Sequence, residues 1–189
     1  MKKLREHLKI IHRHRRYVNH FCFKMGIPFR GLTHDLSKYS KTEMQIAKYY
    51  TGTCSPHDEA RAKLGYSPSW YHHKNKNKHH WEYWVDFNGG YFNSKGEFVI
   101  APIAVKMPYK YVIEMFCDFI GAGMAYEKTK WTTKSPITYY LAKCKGQRLM
   151  HKNSEKLLVD LLTNLSQVSS VNEFIKWYKK HKTDLKNNY

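Results

Sequence analysis

The sequence predicts a single, mainly all-α domain, and three observations carry that prediction. Apolar residues recur at three- and four-residue spacing over several long stretches, which is the period of one helix face. Helix-opening and helix-closing residues bracket those stretches. The length of 189 residues suits one well-packed domain and is short for two, and 42% hydrophobic residues supply a core.

Leu4, Ile11, Val18, Phe21 and Met25 predict one amphipathic helix from about Lys3 to Met25. Gly26 is its natural stop, and Pro28 suits the first turn of a second helix through "PFRGLTHDLSKY". Ser40 and Glu43 have the capping-box spacing, so a third helix opens there, carries Met44, Ala47 and Tyr50, and stops near Gly52. Thr51 to Pro68 reads as a loop with a short helical piece around Asp58 to Leu64. Residues 85–106 read as a small hairpin-like insertion, with turn signals at Asn88-Gly89-Gly90 and Ser94-Lys95-Gly96. Pro108 opens a helix, "PYKYVIEMFCDFIGAGMAYE", that is apolar on nearly every side and therefore buried. Two more helices follow, about Ser154 to Leu165 and about Val171 to His181, the latter capped by Ser170. No repeat or linker interrupts the chain. One domain spans 1–189, with the distinctive motifs in 1–126 and a plainer helical tail in 128–189.

The balance of 33 basic against 15 acidic residues gives a net charge of +18. Such a field favours polyanions, although abundant Lys and Asn also fit a merely solvated surface. Cys22, Cys54, Cys117 and Cys144 form no CxxC pair, which argues against a zinc ribbon or a disulfide scaffold. The N-terminus is charged throughout and lacks a signal-peptide apolar run, and no stretch approaches membrane-spanning length. A reducing cytoplasm, without membrane partners, is the expected setting.

Four places can carry chemistry. His14 sits between Ile11 and Val18 on the apolar stripe of the first helix, where a core histidine or a metal ligand would each fit. His7 shares that stripe nearer the end, while His12 and His20 project elsewhere. "HDLSK" sets His34 beside Asp35, an imidazole and a carboxylate suited to a divalent ion such as Mn, Fe or Zn; the alternative is that Asp35 only orients His34. Glu114 and Asp118 lie one turn apart in an otherwise apolar helix, which demands a facing cation, whether Lys, Arg or a metal. "WYHHKNKNKHHWEYW" places His72, His73, His79 and His80 within nine residues. Its central "KNKNK" is a poor helix, so a loop between two helix ends is at least as good a reading. Metal ligation, an aromatic core segment and a base-stacking basic strip are its three readings.

In order, His14, His34-Asp35, His72/His73, His79-His80 and Asp118 resemble the HD superfamily of metal-dependent phosphohydrolases, with its H…HD…D set on a helical core. The extra histidines resemble the two-metal branch, and Lys38 matches its HDxxK form. "GLTHDLSKYS", "WYHHKNKNKHHWEYW" and "MPYKYVIEMFCDFIGAG" more closely resemble a family often encoded by bacteriophages, a likeness running to about Tyr126 that would put the protein in the cytoplasm of a bacterial host. The resemblance implies an HD-type bundle and two divalent ions (Mn, Fe, Ni, Co or Zn). His14, His34, Asp35 and Asp118 would hold one, and Asp35 would bridge to another on His73, His79 and His80. His72 and Glu114 are possible additional ligands. Lys38 would neutralise a phosphoryl group, with Lys74, Lys76, Asn77 and Lys78 toward a nucleotide or nucleic-acid substrate. The resemblance also admits a di-iron oxygenase. The charge and aromatics admit a nucleic-acid-binding module with a structural metal.

Overall fold

The computed structural model describes residues 2–50, 56–146 and 148–189. The expected stop near Gly52, the first part of the expected 51–68 loop and Cys54 lie outside the described residues. Among those described the protein is mainly α-helical, with one β-hairpin arm.

The first helix, α1, spans Lys2–Lys24. It closes with Ile27 N–H donating to the Cys22 carbonyl at 2.9 Å and Gly26 N–H to the Phe23 carbonyl at 3.1 Å. Gly26 has φ +79° there, the left-handed closure that a residue without Cβ adopts readily. The second helix, α2, spans only Pro28–Thr33. The expected continuation through Tyr39 fails because Asp35 takes left-handed angles, φ 54° and ψ 27°, before a 3-10 turn at Leu36–Tyr39. Ser40 Oγ accepts from Glu43 N–H at 3.3 Å and opens α3, Lys41–Met44, which tightens into a 3-10 turn over Gln45–Tyr49. Pro56–Leu64 is α4, and Pro68–Lys76 is α5, capped by Ser67 Oγ. A 3-10 turn at Trp81–Trp84 follows.

The arm is two nested antiparallel ladders. Val85–Phe87 (β1) pairs with Pro102–Ala104 (β4), and Tyr91–Phe92 (β2) with Phe98–Val99 (β3). Ser94-Lys95-Gly96 lies at the tip, as expected. Asn88-Gly89-Gly90 is not a turn between strands, because Asn88 N–H donates to the Ala101 carbonyl at 3.0 Å and keeps the two chains paired there.

The long helix α6, Tyr109–Glu127, is the axis of the fold. It is followed by α7 (Ser135–Lys143), which the sequence reading did not anticipate, then α8 (Lys152–Ser166) and α9 (Val171–Asn187). Ser170 caps α9 as expected, its Oγ accepting from Glu173 N–H at 3.2 Å. Helix α6 contacts α1 most extensively and also packs on α8. Buried Val18, Phe116, Leu161 and Phe174 belong to one hydrophobic core joining α1, α6, α8 and α9. A Cβ on Gly121 would stand 2.5 Å from Val18 Cγ2, so the α1–α6 crossing is closer than a larger residue permits. That crossing sets His14 and Asp118, each about one turn away, on a common point. No described helix is long and apolar enough to cross a membrane.

Candidate metal centre

Five chain segments meet beside the α1–α6 crossing: α1 with His14, the α2 exit with His34 and Asp35, α5 with His73, the turn after α5 with His79 and His80, and α6 with Asp118. In a continuous helix His34 and Asp35 would point about 100° apart. The left-handed Asp35 removes that conflict, and His34 Nε2 stands 3.3 Å from Asp35 Oδ2. Asp tolerates this region better than most residues, and such geometry is concentrated at functional sites.

Two groups of donors share Asp35. In one, His14 Nε2 lies 3.2 Å from both Asp35 Oδ2 and Asp118 Oδ1, and 3.1 Å from His34 Nε2. In the other, Asp35 Oδ1 lies 3.3 Å from His73 Nε2 and 3.4 Å from His79 Nε2, with His80 alongside. Within each group one donor atom per residue lies within 4.8 Å of the others. Asp35 thus turns one oxygen to each.

Two further carboxylates stand behind the imidazoles. Glu114 Oε1 accepts from His34 Nδ1 at 3.1 Å and lies 3.1 Å from His79 Nδ1. Arg30 grips the same carboxylate, donating from Nε to Oε2 at 2.6 Å and from Nη2 to Oε1 at 3.2 Å. Arg30 is therefore the facing cation that a buried Glu114 requires. Glu43 accepts from His72 Nδ1 and from His73 Nδ1, each at 2.7 Å. Engaging Nδ1 fixes the tautomer that leaves Nε2 as the inward donor. Glu43 was missed in the sequence because its capping-box spacing already gave it a local role; only the packing of α3 on α5 shows its carboxylate turned onto His73.

Protonation follows the same division. Burial disfavours charge on His34, but Asp35, with Asp118 and Glu114, outweighs burial and holds its pKa well above the ordinary value. For His73, burial is likewise overcome by Asp35 and Glu43. Burial and then Lys38 push His14 down, and burial followed by the neighbouring His79 pushes His80 well down, toward neutral imidazole. Burial works against the Asp35 anion, yet His34, Lys38 and His73 hold its pKa well below the usual range. Glu114 falls to about 2 despite burial, through His34, His79 and Arg30.

The residues fit a metal. Asp35 Oδ1, His79 Nε2 and His80 Nε2 are buried without a hydrogen-bond partner, and orphaned buried polar atoms each cost on the order of 1–3 kcal/mol. Their mixed imidazole and carboxylate character suits Mn, Fe, Co, Ni or Zn. His34, His79 and Glu114 also form a close donor group, but Arg30 already neutralises Glu114. His72 is outside the groups, half-buried on Glu43.

A cavity of about 470 Å³ opens onto the centre, lined by His14, Asp35, His73, His80 and Asp118. Lys38 lines it as well, with Nζ 2.6 Å from Asp35 Oδ2; burial lowers its pKa, but Asp35 and Asp118 raise it further. None of Lys74, Lys76, Asn77 and Lys78, expected toward a substrate, lines this cavity. With His73 turned inward at the end of α5, Lys76 and Lys78 project to solvent, while Lys74 leans on Tyr71. Asn77 is structural, donating to Ser37 Oγ at 2.7 Å and to the His73 carbonyl at 2.8 Å. His57, not singled out in the sequence, also lines the cavity; its pKa is lowered to about 3, chiefly by burial.

The family described as a family of unknown function, DUF5662, matches residues 3–164. The chain belongs to DUF5662. The matched region of this DUF5662 member contains every residue of both donor groups and extends past Tyr126 through α7 and most of α8. No curated protein and no solved structure matches the chain.

Proposed function

We propose that this protein is a metal-dependent phosphohydrolase that cleaves a phosphoester through a two-metal centre. The observation that supports this reading most is the position of Asp35, whose two carboxylate oxygens face two separate donor groups. His14, His34, Asp35 and Asp118 would hold one ion, and Asp35, His73, His79 and His80 the other. Two such ions supply Lewis acidity toward a phosphoryl oxygen and a nucleophilic water for in-line displacement. The protein's own groups divide the remaining work. Lys38 keeps its charge beside Asp35 and offers it to the phosphoryl group in the cavity. Glu114 with Arg30, and Glu43, hold the imidazoles that carry the donors. The core beneath α6 keeps bulk water from the buried side of the centre.

Hydrolysis of bis(p-nitrophenyl) phosphate with Mn²⁺ added, beside elemental analysis of the purified protein, tests the proposal. Bound metal and turnover that Asp35→Asn abolishes are expected. Turnover absent with every divalent ion would overturn it, and two irons per chain in a coloured sample without turnover would favour oxygenase chemistry.

A further inference from the structure

Asp35 reaches both donor groups because its backbone is left-handed, and its own side chain does not explain that conformation. Aspartate usually enters this region by bonding its carboxylate to a nearby backbone group. The Asp35 side chain makes no such capping bond; its oxygens face the histidines of the two groups and Lys38. Lys38 N–H donates to the Asp35 carbonyl at 3.0 Å, which closes the turn after Asp35 and not the peptide before it. A residue with a Cβ keeps a positive φ only where its surroundings over-determine it. The hold on that peptide comes from another helix.

Arg15 of α1 donates from Nε to the His34 carbonyl at 2.8 Å, and that carbonyl belongs to the peptide joining His34 to Asp35. Because a peptide is planar, turning this one over would swing its carbonyl away from Arg15 and change the Asp35 φ by about 180°, back to negative values. The other guanidinium donors anchor both flanks of the turn. Nη2 donates to the Leu32 carbonyl at 3.1 Å, one of those that the end of α2 leaves without an intrahelical partner. Nη1 donates to Tyr39 Oη at 3.0 Å, and the guanidinium lies 5.1 Å from the centre of the Tyr39 ring. Three acceptors in different directions suit the planar fork of arginine and not the single ammonium of lysine. Arg15 also follows His14 directly. One helix therefore supplies a donor to the first group and grips the backbone of the residue that joins the two.

We infer that Arg15 is a positioning residue for the metal centre: by fixing the His34–Asp35 peptide, it sets the two Asp35 oxygens toward their separate donor groups. That ions occupy those groups rests on the proposed two-metal reading; the hold on the peptide does not.

NMR of the metal-free protein, beside calorimetric titration with Mn²⁺, tests the assignment on the unsubstituted protein, Arg15→Gln, Arg15→Lys and Arg13→Gln. A positive φ brings a residue's amide proton close to its own Hα, so Asp35 should show a strong intraresidue nuclear Overhauser contact. Both Arg15 variants should weaken that contact and bind both ions at least about tenfold more weakly, as loss of an outer support does. Arg13 donates from Nη1 to the Ala125 carbonyl on α6 at 3.3 Å, and its substitution should leave both readings unchanged. Arg15→Lys keeps the charge without the fork, so it separates the two and serves alone if Arg15→Gln does not fold. An Asp35 contact that is weak without substitution, or that stays strong in Arg15→Lys, would overturn the inference. So would an affinity unchanged for either ion, or an equal loss in Arg13→Gln. An unsubstituted protein that binds no ion, with the Asp35 contact still lost in Arg15→Lys, would sink the two-metal reading and leave the hold of Arg15 on Asp35 standing.

Discussion

The two donor groups rest on different supports. His14 and Asp118 project from α1 and α6, helices of 23 and 19 residues locked by the close crossing at Gly121. His73 sits near the end of α5, a helix of 9 residues, and His79 and His80 belong to the turn beyond it. Donors on long packed helices hold their geometry better than donors on turns. The outer carboxylates differ in the same way. Glu114 accepts from His34 of the first group and lies 3.1 Å from His79 Nδ1 of the second, whereas Glu43 supports His73 alone of the proposed ligands. The first group should therefore bind its ion more tightly, and the second should exchange more easily.

Substituting the two carboxylates breaks this comparison most strongly. Glu114→Gln leaves Arg30 facing a neutral partner and should lower stability by about 3–5 kcal/mol, with both ions bound roughly 10–100-fold more weakly. Glu43→Gln should weaken only the second ion by a similar factor. Chelator competition with thermal unfolding checks both, and equal effects on the two ions in Glu43→Gln would contradict the division. Next, Gly121→Val forces α1 from α6 and should cost about 1–3 kcal/mol while releasing the first ion selectively; calorimetric unfolding and metal titration read the two effects.

A smaller effect lies in acid. Burial, then Lys38, lowers His7 to about 4, below its value of about 6.5 in the unfolded chain. The unfolded state then binds the proton first, so this contribution to stability is complete above pH 6.5 and declines as pH falls toward 4. Thermal melts of chelator-treated protein should show a slope there, and His7→Phe should lessen it, the share of His57, His14 and His80 remaining. The smallest effect belongs to the lysines of the histidine stretch. Lys74→Gln, Lys76→Gln and Lys78→Gln together should leave stability within about 0.5 kcal/mol and hydrolysis unchanged. A drop of tenfold or more in turnover would return them to the substrate side.

Much of this was legible in the sequence. The apolar spacing of α1, the continuous apolarity of α6 and the caps at Ser40 and Ser170 follow local rules, and each formed as expected. His14 stood out because it interrupts an apolar stripe, and Asp118 because a carboxylate in an apolar helix needs a cation. The break at Asp35 was not legible, since Asp is equally acceptable in the helical continuation and only the convergence of five segments selects its left-handed form. Glu43 was hidden by a local explanation of which only half formed: Ser40 Oγ caps the Glu43 N–H, while the carboxylate turns to His72 and His73. The directions of Lys74, Lys76 and Lys78 were not legible, because α5 ends within the motif and its faces cannot be assigned from spacing alone.

The central claim is that Asp35 belongs to two donor groups at once. Metal content per chain after loading with Mn²⁺ and exhaustive dialysis, measured for the unsubstituted protein beside His80→Ala and Asp35→Asn, tests it most directly. Two ions, one ion and none are expected, respectively. An unsubstituted protein that retains no ion, or an Asp35→Asn variant that still holds two, would contradict it.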